Sequence, residues 1–214
     1  MTSLAAVRLN AQSCQSCDLW KTRRHVVFGG ANGHRDIRAD LMIVGEAPGE
    51  EEDASGRPFE GAAGRKLAHL LEEVGLDRTT TYLTNVVKCR PIHVLEGGAP
   101  VSRTPYPRQV AACWDYLDAQ IALIRPRVIV ALGGTAVRRL LGPHAHVGTS
   151  RGPGQSLDGC PVVATYHPSP VSLNRRKERK SMLRDDLCLA RQLLDGPAEV
   201  QDWSLGLRRH SMLS

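Results

Sequence analysis

The stretch Val128-Ile129-Val130-Ala131-Leu132, followed at once by Gly133-Gly134, decides the fold of this 214-residue chain. Five apolar residues in a row, three of them β-branched, fit a strand buried on both faces, and the glycines stop it. Working outward, Leu41–Gly45 is a second short apolar run that ends in a Gly/Pro loop, and residues 82–87 and 161–166 read as two more strands. Helical spacing separates them. Leu67, Leu70, Leu71 and Val74 share one face, as do Val110, Cys113, Trp114, Leu117, Ile121 and Ile124. A short helix covers 137–141, and a last one carries Leu183, Leu187, Ala190 and Leu194. Strands alternating with helices predict an α/β fold, a three-layer αβα sandwich with a four-stranded parallel central sheet. The Pro/Gly-rich stretch 91–107 reads as a loop, and Gly61 to Lys66 as a helix start at which Gly64 permits close backbone approach. One domain is expected over 1–197, including an N-terminal cysteine segment, with a tail over 198–214.

Composition narrows the class. With 42% hydrophobic but only 4% aromatic residues, the core must be built from Leu, Val, Ile and Ala. Lys and Arg total 28 against 22 Asp and Glu, a formal charge of +6 that suits a polyanionic partner, although a solvated basic surface explains it equally well. No apolar run approaches the ~20 residues that span a bilayer. Met1 to Asn10 lacks the charged start and apolar stretch of a secretory signal, so a cytoplasmic protein free of membranes is expected. Six cysteines in a reducing compartment argue for ligands or buried thiols rather than disulfides.

In parallel sheets, ligands bind beyond the carboxyl ends of the strands. The unusual residues of this chain fall there: Gly45-Glu46-Ala47-Pro48-Gly49 after the first strand, Asn85 near the end of the second, and His167-Pro168-Ser169-Pro170 after the fourth. The Asn85 carboxamide can donate and accept together, which suits a nucleobase edge. Taken alone, it fits a strand-end residue bonding its own turn. A lone histidine at a strand end is usually structural, but His167, beside a Ser/Pro loop on a ligand rim, is a better candidate for a functional residue. Phe59 lies in a polar Gly/Arg/Pro loop, where a stacking platform for a base explains it better than a core position. Cys14 and Cys17 form a C-x2-C pair that Cys89 and Cys113 complete to four thiolates, compatible from spacing with either zinc or a [4Fe–4S] cluster. Cys160 and Cys188 read as packing residues.

Three ordered blocks, Gly45-Glu46-Ala47-Pro48-Gly49-Glu50-Glu51-Glu52-Asp53 with Gly56-Arg57-Pro58-Phe59-Glu60-Gly61, then Thr84-Asn85-Val86-Val87-Lys88-Cys89-Arg90-Pro91, then His167-Pro168-Ser169-Pro170, resemble the motifs of family 4 uracil-DNA glycosylases. The resemblance covers Cys14 to Leu194. It implies a glycosylase fold and a monofunctional, monomeric enzyme that hydrolyses the N-glycosidic bond of uracil in single- or double-stranded DNA. It places a [4Fe–4S] cluster on Cys14, Cys17, Cys89 and Cys113. It implies uracil contacts from Glu46 and Ala47, stacking on Phe59, edge reading by Asn85, and a hydrogen bond from His167 to the departing anion. His167 and Glu46 are then the candidate catalytic residues, with the group that positions the water left open. Val171 and Ser172 are implied to enter the minor groove, with Arg175, Arg176, Lys177, Arg179 and Lys180 near phosphates. The chain departs from the family in its long 91–104 loop, whose length resembles the X-type branch that becomes covalently bonded to DNA through a loop histidine. Ala47 stands where that branch carries Gln, and Ser102 where it carries the histidine, so ordinary turnover is expected and capture by His93 is the minor alternative. Readings from other classes are a silent iron–sulfur DNA-binding module and a zinc hydrolase acting on nucleotides.

Overall fold

The computed structural model describes residues 3–31, 38–94 and 97–196, so the expected tail over 198–214 lies outside the described residues. The elements run in the order α1 (Leu4–Gln12), a 3-10 turn (Asp18–Lys21), β1 (Leu41–Gly45), α2 (Glu50–Ser55), α3 (Ala62–Glu73), β2 (Tyr82–Asn85), β3 (Ile92–His93) and β4 (Val101–Ser102). They continue through α4 (Pro107–Ala111), α5 (Trp114–Ile124), β5 (Val128–Leu132), α6 (Gly134–Leu141), α7 (Val147–Ser150), β6 (Ser156–Leu157), β7 (Cys160–Thr165), α8 (Pro170–Leu173) and α9 (Arg179–Asp195).

The central sheet has the order β2-β1-β5-β7-β6. Its first four strands are parallel, and the two-residue β6 adds an antiparallel edge to the expected four. Because side chains alternate across a strand, each strand feeds two cores. Met42, Val44, Ile129, Ala131, Val162 and Ala164 pack with Leu117, Ile121 and Ile124 of α5 and with Ala136, Val137 and Leu140 of α6. Leu41, Ile43, Val128, Val130, Leu132 and Val163 pack with Leu67, Leu70 and Leu71 of α3 and with Leu183, Leu187 and Ala190 of α9. Both faces are therefore covered, which is why these strands read as unbroken apolar runs.

Three local differences from the sequence reading have physical causes. The second strand stops at Asn85 rather than Val87: Val86 and Val87 stay buried, but their N–H groups donate to Gly45, the last residue of β1, and to Glu46 in the loop beyond it, where the ladder ends. The helix expected over 110–124 is two, broken at Ala112-Cys113, with the Cys113 backbone at the N-terminus of α5. The 91–107 loop contains the small β3–β4 hairpin, with Ile92 paired to Ser102 and His93 to Val101.

The strand order sets the site. β1 has β2 on one side and β5 on the other, so the chain reverses its direction of travel at the carboxyl end of β1, the point where such sheets bind ligands. The register puts Gly45 beside Asn85 and Leu132 beside Thr165, which gathers the three loop blocks on one rim. No described helix is long and apolar enough to cross a membrane. Ile129 is fully buried in the middle of the sheet, so Ile129→Ala is expected to lower stability by about 3 kcal/mol in urea titration, with an unchanged m-value.

Candidate active site

A cavity of about 620 Å3 opens at this rim, and Glu46, Ala47, Phe59, Asn85 and His167 all line it. Val171 lies on its edge and Ser102 and Arg103 form part of its wall. The sequence-predicted base-site residues are thus brought together from β1, the 56–61 loop, β2 and the segment after β7.

Asn85 ends β2 and is 3% exposed. Its carboxamide makes no hydrogen bond among the described residues and lines the cavity, so one donor and one acceptor are available there to a ligand edge. The backbone beneath it is held firmly. Lys88, fully enclosed, donates from Nζ to the Asn85 carbonyl (2.6 Å), to Thr84 Oγ1 (2.8 Å) and to Gln120 Oε1 (2.6 Å). Burial pushes this ammonium down to about 7. Gln120 in turn donates to the Phe28 carbonyl and to Tyr82 Oη.

Phe59 has a positive φ of 56°, a conformation that costs a non-glycine residue about 1–3 kcal/mol and persists only when its surroundings impose it. Two contacts impose it here. Arg78 Nη2 donates to the Phe59 carbonyl at 2.8 Å and to that of Pro58 at 3.3 Å. The backbone of α3 packs against the same carbonyl at Gly64, where a Cβ would fall 1.8 Å from Phe59 O. Gly45 is constrained as tightly, since a Cβ there would lie 2.4 Å from Asn85 Oδ1 and 2.8 Å from Phe59 Cζ.

His167 follows β7, whose end is pinned to α9. The Thr165 hydroxyl donates to Asp186 Oδ2, and Arg151 forks onto the same carboxylate at 2.7 and 3.0 Å. The Ser169 backbone N–H donates to His167 Nδ1 at 3.2 Å. With Nδ1 an acceptor, the neutral ring carries its proton on Nε2. Enclosure by the cavity walls pushes the imidazole down to about 4, although part of its surface still faces the cavity. His167 is therefore a neutral donor at physiological pH.

Glu46 lines the cavity, and its Oε2 accepts a short hydrogen bond from Thr135 at the start of α6. Sequence reasoning missed Glu52. It is buried, and its two oxygens accept from the Gly49 N–H at 3.0 Å and the Gly61 N–H at 2.8 Å, clipping together the two loops that carry Ala47 and Phe59. The signal was present: Glu52 is the third residue of a helix that starts after Gly49, the place from which a Glu reaches back to cap.

The four predicted ligands lie beside this site. Cys14 follows α1, Cys17 opens the 3-10 turn, Cys89 lies four residues after Asn85, and Cys113 precedes α5. None of the cysteines is disulfide-bonded. Cys17 feels the charge of Cys14, Cys89 that of Cys113 and Cys17, and Cys113 that of Cys17 and Cys14, so the four sulfurs share one locale. Arg23 joins the segments, donating to the Cys14 carbonyl at 2.7 Å and to Cys89 Sγ at 3.6 Å. Cys160 is buried beneath the Pro126 carbonyl, and Cys188 is half-buried on α9.

The family model of the uracil DNA glycosylase superfamily matches residues 33–188. The chain belongs to the uracil-DNA glycosylase superfamily. It is 42% identical over 185 residues to the type-4 uracil-DNA glycosylase of Thermotoga maritima, covering 86% of this chain and 90% of that one. It is 40% identical over 179 residues to the type-4 enzyme of Archaeoglobus fulgidus, covering 80% and 84%. Against the type-4 enzyme of Sulfurisphaera tokodaii it is 35% identical over 221 aligned positions, covering 99% and 94%. His93, the loop histidine of the covalent alternative, is exposed on β3 and does not line the cavity.

Two substitutions test this geometry without assuming a reaction. Gly64→Ala is expected to expel Phe59 from its position and to lower the melting temperature, because Phe59 O must move off the new Cβ. Lys88→Met removes the donor to the Asn85 carbonyl and leaves Gln120 Oε1 only the longer contact from the Thr84 hydroxyl at 3.2 Å, and should cost roughly 2–3 kcal/mol in denaturant titration.

Proposed function

We propose that the protein excises uracil from DNA, hydrolysing the N-glycosidic bond and leaving an abasic site in an otherwise intact strand. The observation that carries this reading is the unpartnered, buried Asn85 carboxamide sharing one cavity with a neutral, Nε2-protonated His167 and the Phe59 ring. Uracil offers an acceptor and an N–H side by side on one edge, and a carboxamide matches both. Cytosine puts a donor where uracil has an acceptor. The base must leave the helix to reach a cavity of this kind. Phe59 stacks on it, with backbone at Glu46 and Ala47 completing the wall.

As the bond breaks, negative charge moves onto the uracil oxygen and positive charge onto the sugar. His167 donates from Nε2 to that oxygen, and its neutrality means that it holds a proton without needing to lose one. The carboxylate of Glu46, fixed by Thr135, favours the cationic sugar, and water then adds to it. The exposed Val171 fills the space that the flipped nucleotide leaves, next to Ser172, whose N–H is tied to Ser169 Oγ. Arg175 and Arg176 stand exposed on the turn before α9, suited to phosphates, whereas Arg179 is occupied by the Ser172 carbonyl and by the Tyr166 ring. The protein works as a monomer on single- or double-stranded DNA.

Cys14, Cys17, Cys89 and Cys113 would hold a [4Fe–4S] cluster. What supports this reading is the donor set, four thiols in one locale as a cluster of this kind requires. Such a group supplies a cross-link between α1, the 3-10 turn, the segment after β2 and the start of α5.

Excision measured on an oligonucleotide with one uracil, followed by alkaline cleavage, tests the reading. His167→Ala should lower kcat by about 10²–10³ through loss of the donor to the leaving anion. Asn85→Ala should lower kcat/KM about ten- to a hundredfold. Absence of cleavage by folded wild-type protein would leave a silent DNA-binding module as the better account. Purified protein should be brown, and Cys89→Ser should bleach it and lower its melting temperature; a colourless wild-type protein that holds zinc would contradict the cluster assignment.

A further inference from the structure

A second cavity, of about 640 Å3, adjoins the first: Ala62 lines both. Its walls carry Lys66 of α3, Lys177 from the turn before α9, Lys180 from the first turn of α9, and Pro168 and Pro170 from the segment that follows His167 into α8. None of the three ammonium groups makes a hydrogen bond or an ion pair among the described residues. They come from segments more than a hundred positions apart in sequence, joined by the packing of α3 on α9. The first cavity is more acidic, with Glu46, Glu50, Glu51 and Glu52 in its walls against the one cation of Arg103, although Glu50 is paired with Arg90 and Glu51 with Arg65. Three unpaired cations around one cleft repel each other, and the arrangement is stabilised when an anion enters.

We propose that this lysine cleft seats a backbone phosphodiester of the DNA strand, next to the nucleotide whose base occupies the first cavity. The inference rests on the glycosylase reading and adds a strand path to it. A base in the first cavity brings its own phosphates along, and the acidic wall repels them. The adjoining basic cleft is the neighbouring surface that attracts them. The Pro168–Pro170 segment separates the two chambers, so the strand that occupies the lysine cleft also packs against the loop that positions His167. Lys66 thereby becomes a DNA contact from α3, far in sequence from the basic turn 175–180.

The test uses the full-length protein and the triple variant Lys66→Gln/Lys177→Gln/Lys180→Gln, with circular dichroism melting to confirm that the variant is folded. Equilibrium binding to a single-stranded uracil oligonucleotide is measured across salt concentrations. Each neutralised phosphate contributes about −0.7 to the slope of log K against log salt for a single strand, so loss of this one phosphodiester contact should make the variant slope shallower by about 0.7. Single methylphosphonate replacements, which remove one phosphate charge at a time, then locate the contact. One position flanking the uracil should lower wild-type kcat/KM roughly tenfold yet have less than about a twofold effect in the triple variant, because the two changes remove the same interaction. An unchanged salt slope, or equal methylphosphonate sensitivity in both proteins, would overturn the proposal even if wild type excises uracil. If wild type does not excise uracil but its salt slope still depends on the lysines, the cleft stands and the glycosylase reading falls.

Discussion

The close approach of the Asn85 carboxamide and the Phe59 ring to the Gly45 backbone governs the rest of the site. Parallel pairing sets Gly45 level with Asn85, and the Phe59 ring comes to the same point from the next loop. There is no space for a side chain between them. Everything nearby can be understood as holding that approach in place: Glu52 ties the first loop to the second, Arg78 and Gly64 fix the Phe59 carbonyl, and Lys88 fixes the carbonyl of Asn85. A binding pocket preorganised in this way does not have to order its walls when ligand arrives.

Charge is partitioned with the same economy. The cavity that contains His167 is partly enclosed, and burial keeps the imidazole neutral, while the carboxylates in its walls favour a cationic sugar over a phosphate. A group of basic residues lies instead on the adjoining turn and cleft. A uniformly basic pocket would draw phosphates into the space meant for a base. The cysteine locale lies on the other side of Asn85: the chain passes from Asn85 through Lys88 to Cys89, so the segment that would carry cluster ligands is continuous with the segment that presents the carboxamide.

Much of this was legible in the sequence because it depends on local pattern. Val128–Leu132 and Leu41–Gly45 are buried on both faces, and a run without polar interruption says so directly. Asn85, Phe59 and His167 were legible as polar or aromatic residues out of place at strand ends and in a polar loop. What was not legible depends on contacts across long separations. Val86 and Val87 look like strand because they are buried, yet they lie where the ladder ends. The two-residue β6 has too little pattern to detect. Arg78, Lys88 and Glu52 look like ordinary charged residues in one dimension, and their positioning roles appear only when Phe59, Asn85 and the two glycine N–H groups are brought beside them. His93 stood out in the sequence as the loop histidine, but the β3–β4 pairing leaves it outside the cavity.

The central claim is that a neutral imidazole, protonated on Nε2, faces the ring of a bound uracil. Side-chain 15N NMR of His167, recorded from pH 5 to 8 with and without free uracil, tests it most directly. The account predicts a proton on Nε2 and none on Nδ1 throughout this range, with the Nε2–H resonance shifting when uracil binds. A titration near the ordinary histidine value of about 6.5, or a proton on Nδ1, or an Nε2–H signal indifferent to uracil, would contradict it.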